Sequence, residues 1–274
     1  MRIARFGLAA AVAAACACVS MPAHADGMRG SVKDAPVMVS SPGRCYLRAD
    51  VGYSWSQDPD VRWTITDPNP GPTQWEFVTD KVTNLRVDNS WFGEAGAGCG
   101  SGERGIRGEV MVGFHGKRKI DGEPGVWSPN APPPVDPLHT SVSTTTIMFN
   151  AYYDLGQWAG RFVPYVGAGV GVARNVTDDV YFTGNPALVN RILGDERWSL
   201  AWSLMAGVGW QVTDRATLDF GYRYLDMGKA ESANLDTAGF WNPKVRVDDI
   251  TAHEFKIGLR YALGGGAPCC EMMK

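Results

Sequence analysis

Eight long stretches of this chain alternate apolar residues with polar residues or glycine, and this alternation constrains the fold more than any other feature. They begin near Cys45, Asn89, Gly105, Ser141, Phe162, Trp198, Ala216 and Ile250. A period of two is the strand signal, because successive side chains on a strand point to opposite faces. In the sixth stretch Trp198, Leu200, Trp202, Leu204, Ala206, Val208, Trp210 and Val212 share one face. In the eighth, Phe255, Ile257, Leu259, Tyr261 and Leu263 alternate with Glu254, Lys256, Gly258, Arg260 and Ala262. Each stretch runs for about ten to fourteen residues, roughly twice the usual strand length in soluble domains.

The connections alternate in length. Gly100 to Arg104, Gly156 to Arg161 and Thr213 to Arg215 are short turns. Between them lie long loops near residues 56–88, 117–140, 175–197 and 228–249, the second containing Pro132-Pro133-Pro134. In the first loop, Val61 to Thr66 and Gln74 to Thr79 flank a proline-rich turn and predict a hairpin that extends strands one and two. Short turns at one end and long loops at the other predict an all-β chain, an eight-stranded antiparallel up-and-down transmembrane β-barrel over residues 45–263. With an even strand number, both termini fall on the short-turn side. Ten residues at about 3.3 Å each, tilted about 40°, span about 25 Å, the height of the apolar band of such barrels.

The ends fit export. Arg2 and Arg5 precede an apolar, alanine-rich run, and Ala23-His24-Ala25 is a cleavage tripeptide, so residues 1–25 read as a signal peptide. Lipoprotein processing at Cys16 or Cys18 is the alternative. Residues 26–44 then form a periplasmic linker and 264–274 a periplasmic tail. The formal net charge is −3, and removal of two leader arginines makes the remainder more acidic, which argues against nucleic acid as a partner.

Volume decides which face meets lipid. The apolar stripes include Trp55, Trp91, Trp198, Trp202, Trp210, Phe114, Phe149, Tyr153, Phe220, Tyr222 and Tyr224. An eight-stranded barrel interior is only just filled by side chains, and this set would overfill it. The other face carries Arg48, Asp50, Glu94, Arg107, Glu109, Asp154, Asp219, Arg223, Glu254, Lys256 and Arg260. Charges removed from bulk water must pair, so these residues predict a lumen of interlocked ion pairs. They could fill the barrel structurally or line an ion path, and the narrow lumen favours filling.

Of six cysteines, Cys45, Cys99, Cys269 and Cys270 lie beyond the leader, bound for an oxidising compartment. Cys45 opens the first strand and Cys99 closes the second, so both fall at the same rim and a disulfide between them is expected. Unpaired thiols offset by barrel shear, or competition from Cys269 or Cys270, are the alternatives. No nucleophile motif surrounds His115, His139 or His253, so no enzyme and no cofactor are expected. A haem or metal site using His115 and His139 is a weaker reading than two solvated side chains. Trp63, Trp75, Trp127 and Trp241 sit in the loops, where they pack loops together or anchor a partner.

Several segments carry a family resemblance. Tyr46-Leu47-Arg48-Ala49-Asp50-Val51-Gly52-Tyr53 resembles the first strand of the alphaproteobacterial outer-membrane immunogenic proteins. So do Asn150 to Gly156 and Pro164 to Gly171, while Thr251 to Tyr261 is similar to the closing strand. The resemblance implies a small porin-like barrel in the cell outer membrane. Its implied partners are outer-membrane lipid and lipopolysaccharide, the barrel assembly machinery, and a host-surface or haem ligand at the loops. It implies a non-enzymatic envelope scaffold that presents surface loops, with a narrow diffusion channel or a loop-borne adhesin as alternatives. Such barrels commonly end in an aromatic residue, whereas this chain continues through Gly264-Gly265-Gly266 to Lys274.

Overall fold

The computed structural model describes residues 44–65, 78–101, 104–124, 137–182, 191–233 and 244–263. The leader, nearly all of the linker, the tail with Cys269 and Cys270, and the loop tryptophans Trp75, Trp127 and Trp241 lie outside them. Every described element is a strand or a turn. In chain order the strands are β1 (Arg44–Ser56), β2 (Asp60–Ile65), β3 (Val78–Val87), β4 (Ser90–Gly100) and β5 (Gly105–Pro124). Next come β6 (Leu138–Asp154), β7 (Phe162–Thr177), β8 (Val180–Phe182), β9 (Arg191–Ile192) and β10 (Glu196–Gln211). The last are β11 (Ala216–Asp226), β12 (Ala230–Glu231), β13 (Lys244–Asp248) and β14 (Thr251–Ala262).

Eight of these make the wall. Strands β1, β4, β5, β6, β7, β10, β11 and β14 pair antiparallel with their neighbours, and β1 meets β14 to close the barrel. Closure leaves the wall without an unpaired edge, as a lipid environment requires. The turns at the closed rim are short: Ser101 N–H donates to Ile106 at 3.1 Å, and Val212 N–H donates to Ala216 at 3.0 Å. Gly156 takes a φ of 102°, a left-handed conformation that glycine adopts without a Cβ clash.

The tryptophans, phenylalanines and aliphatics of the alternating stretches face outward, among them Trp91, Phe114, Phe149, Leu204, Phe255 and Ile257. Aromatic contacts run around the outside from Trp91 through Tyr53 and Trp55 to Phe255, and on through Tyr222, His253 and Tyr224 to Trp202. Trp202 Nε1–H donates to Asp226 at 3.1 Å at the upper margin of this arc. Amphipathic rings at a membrane interface take this position.

The strands do not stop where the arc ends. Strand β5 has 20 residues. At about 3.3 Å per residue and about 40° of tilt that length rises about 50 Å, twice the lipid-facing band. Above the band the pattern inverts. Val61, Trp63, Val82, Ile120, Leu138, Val142, Val245 and Val247 point inward into one apolar cluster with Leu225 and Met227. Arg62, Lys81 and Lys119 stand on the outside. The changeover falls at breaks in the wall: Gln57 to Pro59, Asp88-Asn89, the bulge between His115 and Arg118, and Asp249-Ile250, with Asp249 at a φ of 59°. Hydrogen bonds bridge these breaks, as from Asp88 N–H to Lys119 at 2.9 Å and from Met227 N–H to Ile250 at 2.8 Å.

The part above the changeover is therefore an ordinary soluble β-dome on a lipid-facing barrel. The expected first-loop hairpin belongs to it. Strand β2 pairs with β3, and also with β13, so the extension is a continued wall in place of a free-standing hairpin. Ile65 stands opposite Val78 at its described end. The apolar-out assignment yields a direct test. Leu204→Arg should cost about 2–4 kcal/mol in lipid vesicles, read by urea titration. Lys119→Leu, on the same outer face above the changeover, should stay within about 0.5 kcal/mol. Equal costs would place the lipid boundary elsewhere.

Candidate functional site

Inward-pointing positions of the eight wall strands bring the charged face together inside the barrel. At the short-turn end, Arg107 Nε donates to Asp154 at 3.0 Å and its Nη1 to Glu109 at 2.6 Å. The Tyr46 hydroxyl also donates to Glu109, at 2.6 Å. Arg48 joins Glu109 at 3.0 Å to Asp50 at 2.8 Å. Lys256 Nζ then bridges Asp50 at 3.0 Å and Glu94 at 2.6 Å. Arg223 bridges Glu94 and Glu254, each at 2.6 Å. His115 Nε2 ends the series at 2.8 Å from Glu254.

Signs alternate from Asp154 to Glu254 without a gap, and Glu109, Asp50 and Glu94 each touch a cation on both sides. A buried ion is tolerable only with such partners, because its desolvation cost must be offset by close opposite charge and hydrogen bonds. Arg260 and Asp219 form a separate pair at 2.5 Å. Nine of the charged side chains point inward as the continuous ladder, and Arg260 and Asp219 point inward beside it.

The lumen also holds residues outside that set. The Arg107 guanidinium lies over the Tyr152 ring at 3.9 Å and the Tyr165 ring at 4.7 Å. Met205 packs against Tyr152 and Tyr165, and Met111 and Met148 are buried in the interior too. Parity carried this signal: Tyr152 shares a face with Asn150 and Asp154, and Tyr46 with Arg48. His115 corrects an expectation. It is not a solvated residue but a buried one, stacked on Phe92 with ring centroids 5.2 Å apart. The shared parity of Arg107, Glu109, Met111 and His115 along β5 is the reason.

His139 lies on the other face of the wall. Its Nδ1 is 2.5 Å from Asp121, and its ring stacks on Tyr181. The two imidazoles therefore cannot share one haem or metal ion. Among the described residues, no three His, Cys, Asp or Glu side chains converge as a metal site. Outside the barrel, a cleft of about 650 Å³ between β7, β8, β9 and β10 mixes Lys117 and Arg191 with Asp178, Asp195 and Glu196. Lys117 and Ser141 bind Asp178 there and hold its carboxyl below the usual range.

Above His115 the lumen holds one more cation. Arg118 is buried, and it donates to the hydroxyls of Ser54 at 2.9 Å and Ser90 at 3.2 Å in place of a carboxylate. The apolar dome core begins directly above it. At the opposite rim Cys45 and Cys99 face each other in the β1–β4 ladder and are joined by a disulfide, S–S 2.10 Å. Both point outward.

Comparison with known proteins agrees with this architecture. The family model described as "Outer membrane protein beta-barrel domain" matches residues 11–262. An uncharacterized protein of Brucella suis is 30% identical over 244 residues, covering 79% of this chain and 84% of its own length. Outer membrane protein PagN of Salmonella typhimurium is 32% identical over 136 residues, 46% of this chain and 54% of that protein. Neisserial surface protein A superposes with a TM-score of 0.42 at 17% identity, covering 80% of this chain and 97% of that one. The closed barrel, its lipid-facing aromatics and the matching family model and Brucella relative place the chain in the outer membrane, as a member of the outer membrane protein beta-barrel domain family.

Proposed function

We propose that this protein is a non-enzymatic envelope scaffold, a closed barrel that holds a folded β-dome and its loops outside the cell. One observation carries the reading: ion pairs and buried apolar side chains occupy the described interior of the barrel and dome. The ion-pair ladder occupies the lipid-spanning half, and the apolar cluster of Val61, Trp63, Leu138, Val245 and Val247 occupies the dome. Water and ions would have to displace paired charges below and packed methyl groups above. In this reading residues 1–25 direct export, the barrel assembly machinery inserts residues 45–263, and the long loops meet the surroundings. The eleven luminal charges are then structural, and their role is to close the barrel.

Planar-bilayer conductance of the purified chain tests it. The expected result is silence at voltages that open porins. Steady single-channel steps that survive deletion of loop residues 66–77 would replace the scaffold with a diffusion channel.

A further inference from the structure

The rim disulfide lies open on the outside of the wall. Cys45 and Cys99 sit at the short-turn ends of β1 and β4, and both are exposed. Exposed disulfides are the ones that exchange. On β5 the position opposite Cys99 is Gly108, which has no side chain to cover the sulfur. On the other flank Tyr46 stands opposite Ala262, and Leu263 N–H donates to the Cys45 carbonyl at 2.8 Å, which carries the β1–β14 register one residue further. Leu263 is exposed on the same outer face. Leu263, Cys45 and Cys99 thus stand in one row, and the chain leaves the wall in that row.

Two more sulfurs follow. Beyond Leu263 the sequence runs Gly264-Gly265-Gly266-Ala267-Pro268 to Cys269-Cys270. Six residues can span up to about 20 Å, and neighbouring strands lie only about 5 Å apart, so the covalent path allows Cys269 to reach the Cys45 sulfur. A tether this short holds its partner at a millimolar effective concentration. In disulfide exchange the attacking sulfur enters opposite the leaving one, through a mixed disulfide. A sulfur on the Leu263 side therefore meets Cys45, with Cys99 opposite it.

We propose that Cys269-Cys270 is a tethered redox relay that installs the rim cross-link through Cys45 once β1 and β4 have paired. The Cys45 thiolate attacks the Cys269 sulfur of an oxidised tail pair, the Cys269–Cys270 bond breaks, and Cys270 leaves as thiolate. The Cys99 thiolate then attacks Cys45, the Cys45–Cys269 bond breaks, and Cys269 leaves as thiolate. Two electrons pass from the rim pair to the tail pair, and the protons lost by Cys45 and Cys99 end on Cys269 and Cys270. Strain sets the direction. A disulfide between adjacent residues closes an eight-membered ring around a planar peptide and is easily reduced, whereas the ladder holds Cys45 against Cys99. A disulfide donor of the oxidising compartment recharges the tail pair. That donor depends on the periplasmic placement of this rim; the exchange itself does not, and it is measured apart from it.

The test starts from the full chain, folded in detergent with its cysteines reduced, and adds glutathione disulfide. Samples are quenched by alkylation and mapped as peptides. Wild type should form the Cys45–Cys99 bond at least about tenfold faster than Cys269→Ser/Cys270→Ser, at a rate unchanged by diluting the protein. Neither tail substitution touches the wall. Cys99→Ser removes the resolving thiol and should accumulate the Cys45–Cys269 mixed disulfide. Should Cys99→Ser lose the heat-dependent gel shift of a folded barrel, the rate comparison alone carries the test. Equal rates in wild type and the tail variant overturn the relay. So does folded Cys99→Ser that carries only glutathione on Cys45. A Cys99–Cys269 bond trapped in Cys45→Ser as readily as the Cys45 bond in Cys99→Ser overturns the route through Cys45.

Discussion

Arg223→Met should lower barrel stability by about 3–5 kcal/mol, the cost of breaking a buried ion pair from one side. Arg223 is fully buried and lies toward the His115 end of the ladder. Its Nε serves Glu254 and its Nη1 serves Glu94, while its guanidinium lies 5.2 Å from the Phe92 ring centroid. The methionine would fill much of the volume but leave two carboxylates facing each other across an apolar side chain. Lys256 would still hold Glu94, and His115 would still reach Glu254. Those partners keep the loss below that of a wholly isolated charge. Arg223→Lys should fall between wild type and Arg223→Met, since one ammonium cannot supply the two-armed fork. Adding Glu254→Gln to Arg223→Met should recover part of the loss, giving a coupling of at least about 0.5 kcal/mol in a double-mutant cycle. Urea unfolding in lipid vesicles, followed by tryptophan fluorescence, measures wild type, the single variants Arg223→Met, Arg223→Lys and Glu254→Gln, and the double variant. A loss under about 1 kcal/mol for Arg223→Met would mean that water reaches the ladder and that the lumen is not sealed.

The two faces of the wall differ in how plainly the sequence reveals them. Trp198, Leu200, Trp202 and Leu204 reveal the lipid face because nothing else accounts for so much exposed aromatic surface at period two. Arg48, Asp50, Glu94 and Arg107 reveal the lumen because they hold the opposite parity. Parity cannot name partners, however. That Lys256 of β14 reaches Glu94 of β4 depends on stagger around the closed wall, which no local pattern encodes. The dome was hidden for a different reason. Val61, Trp63, Val245 and Val247 alternate with Arg62, Lys244, Arg246 and Asp248 at the same period as the membrane strands. Only the sense is reversed, apolar inward and polar outward. A loop reading follows when such a stretch is short and follows a break such as Gln57 to Pro59. His115 shows the same limit on a smaller scale. Its parity marks it as luminal, but its stacking on Phe92 depends on the β4–β5 register, in which Phe92 stands opposite His115.

The disulfide should contribute almost as much as the ladder, by a different route. Cys45 and Cys99 are 54 residues apart, with the whole first extension of the wall between them. A cross-link over that span restricts the unfolded chain and is worth about 4 kcal/mol in the chain-entropy model. The register makes this gain available without moving the backbone, since the two residues stand opposite each other in the β1–β4 ladder. The same strand β1 pairs with β14 on its other side, where Tyr46 stands opposite Ala262. The cross-link therefore fixes one flank of the strand whose other flank closes the barrel. Reduction should lower the urea midpoint of wild type and leave Cys45→Ser/Cys99→Ser unchanged, and the reduced wild type should match the double variant. Non-reducing peptide mapping should recover one peptide pair carrying Cys45 and Cys99. Recovery of either residue linked to Cys269 or Cys270, or a reductant effect that persists in the double variant, would assign the stabilising cross-link to the C-terminal pair instead.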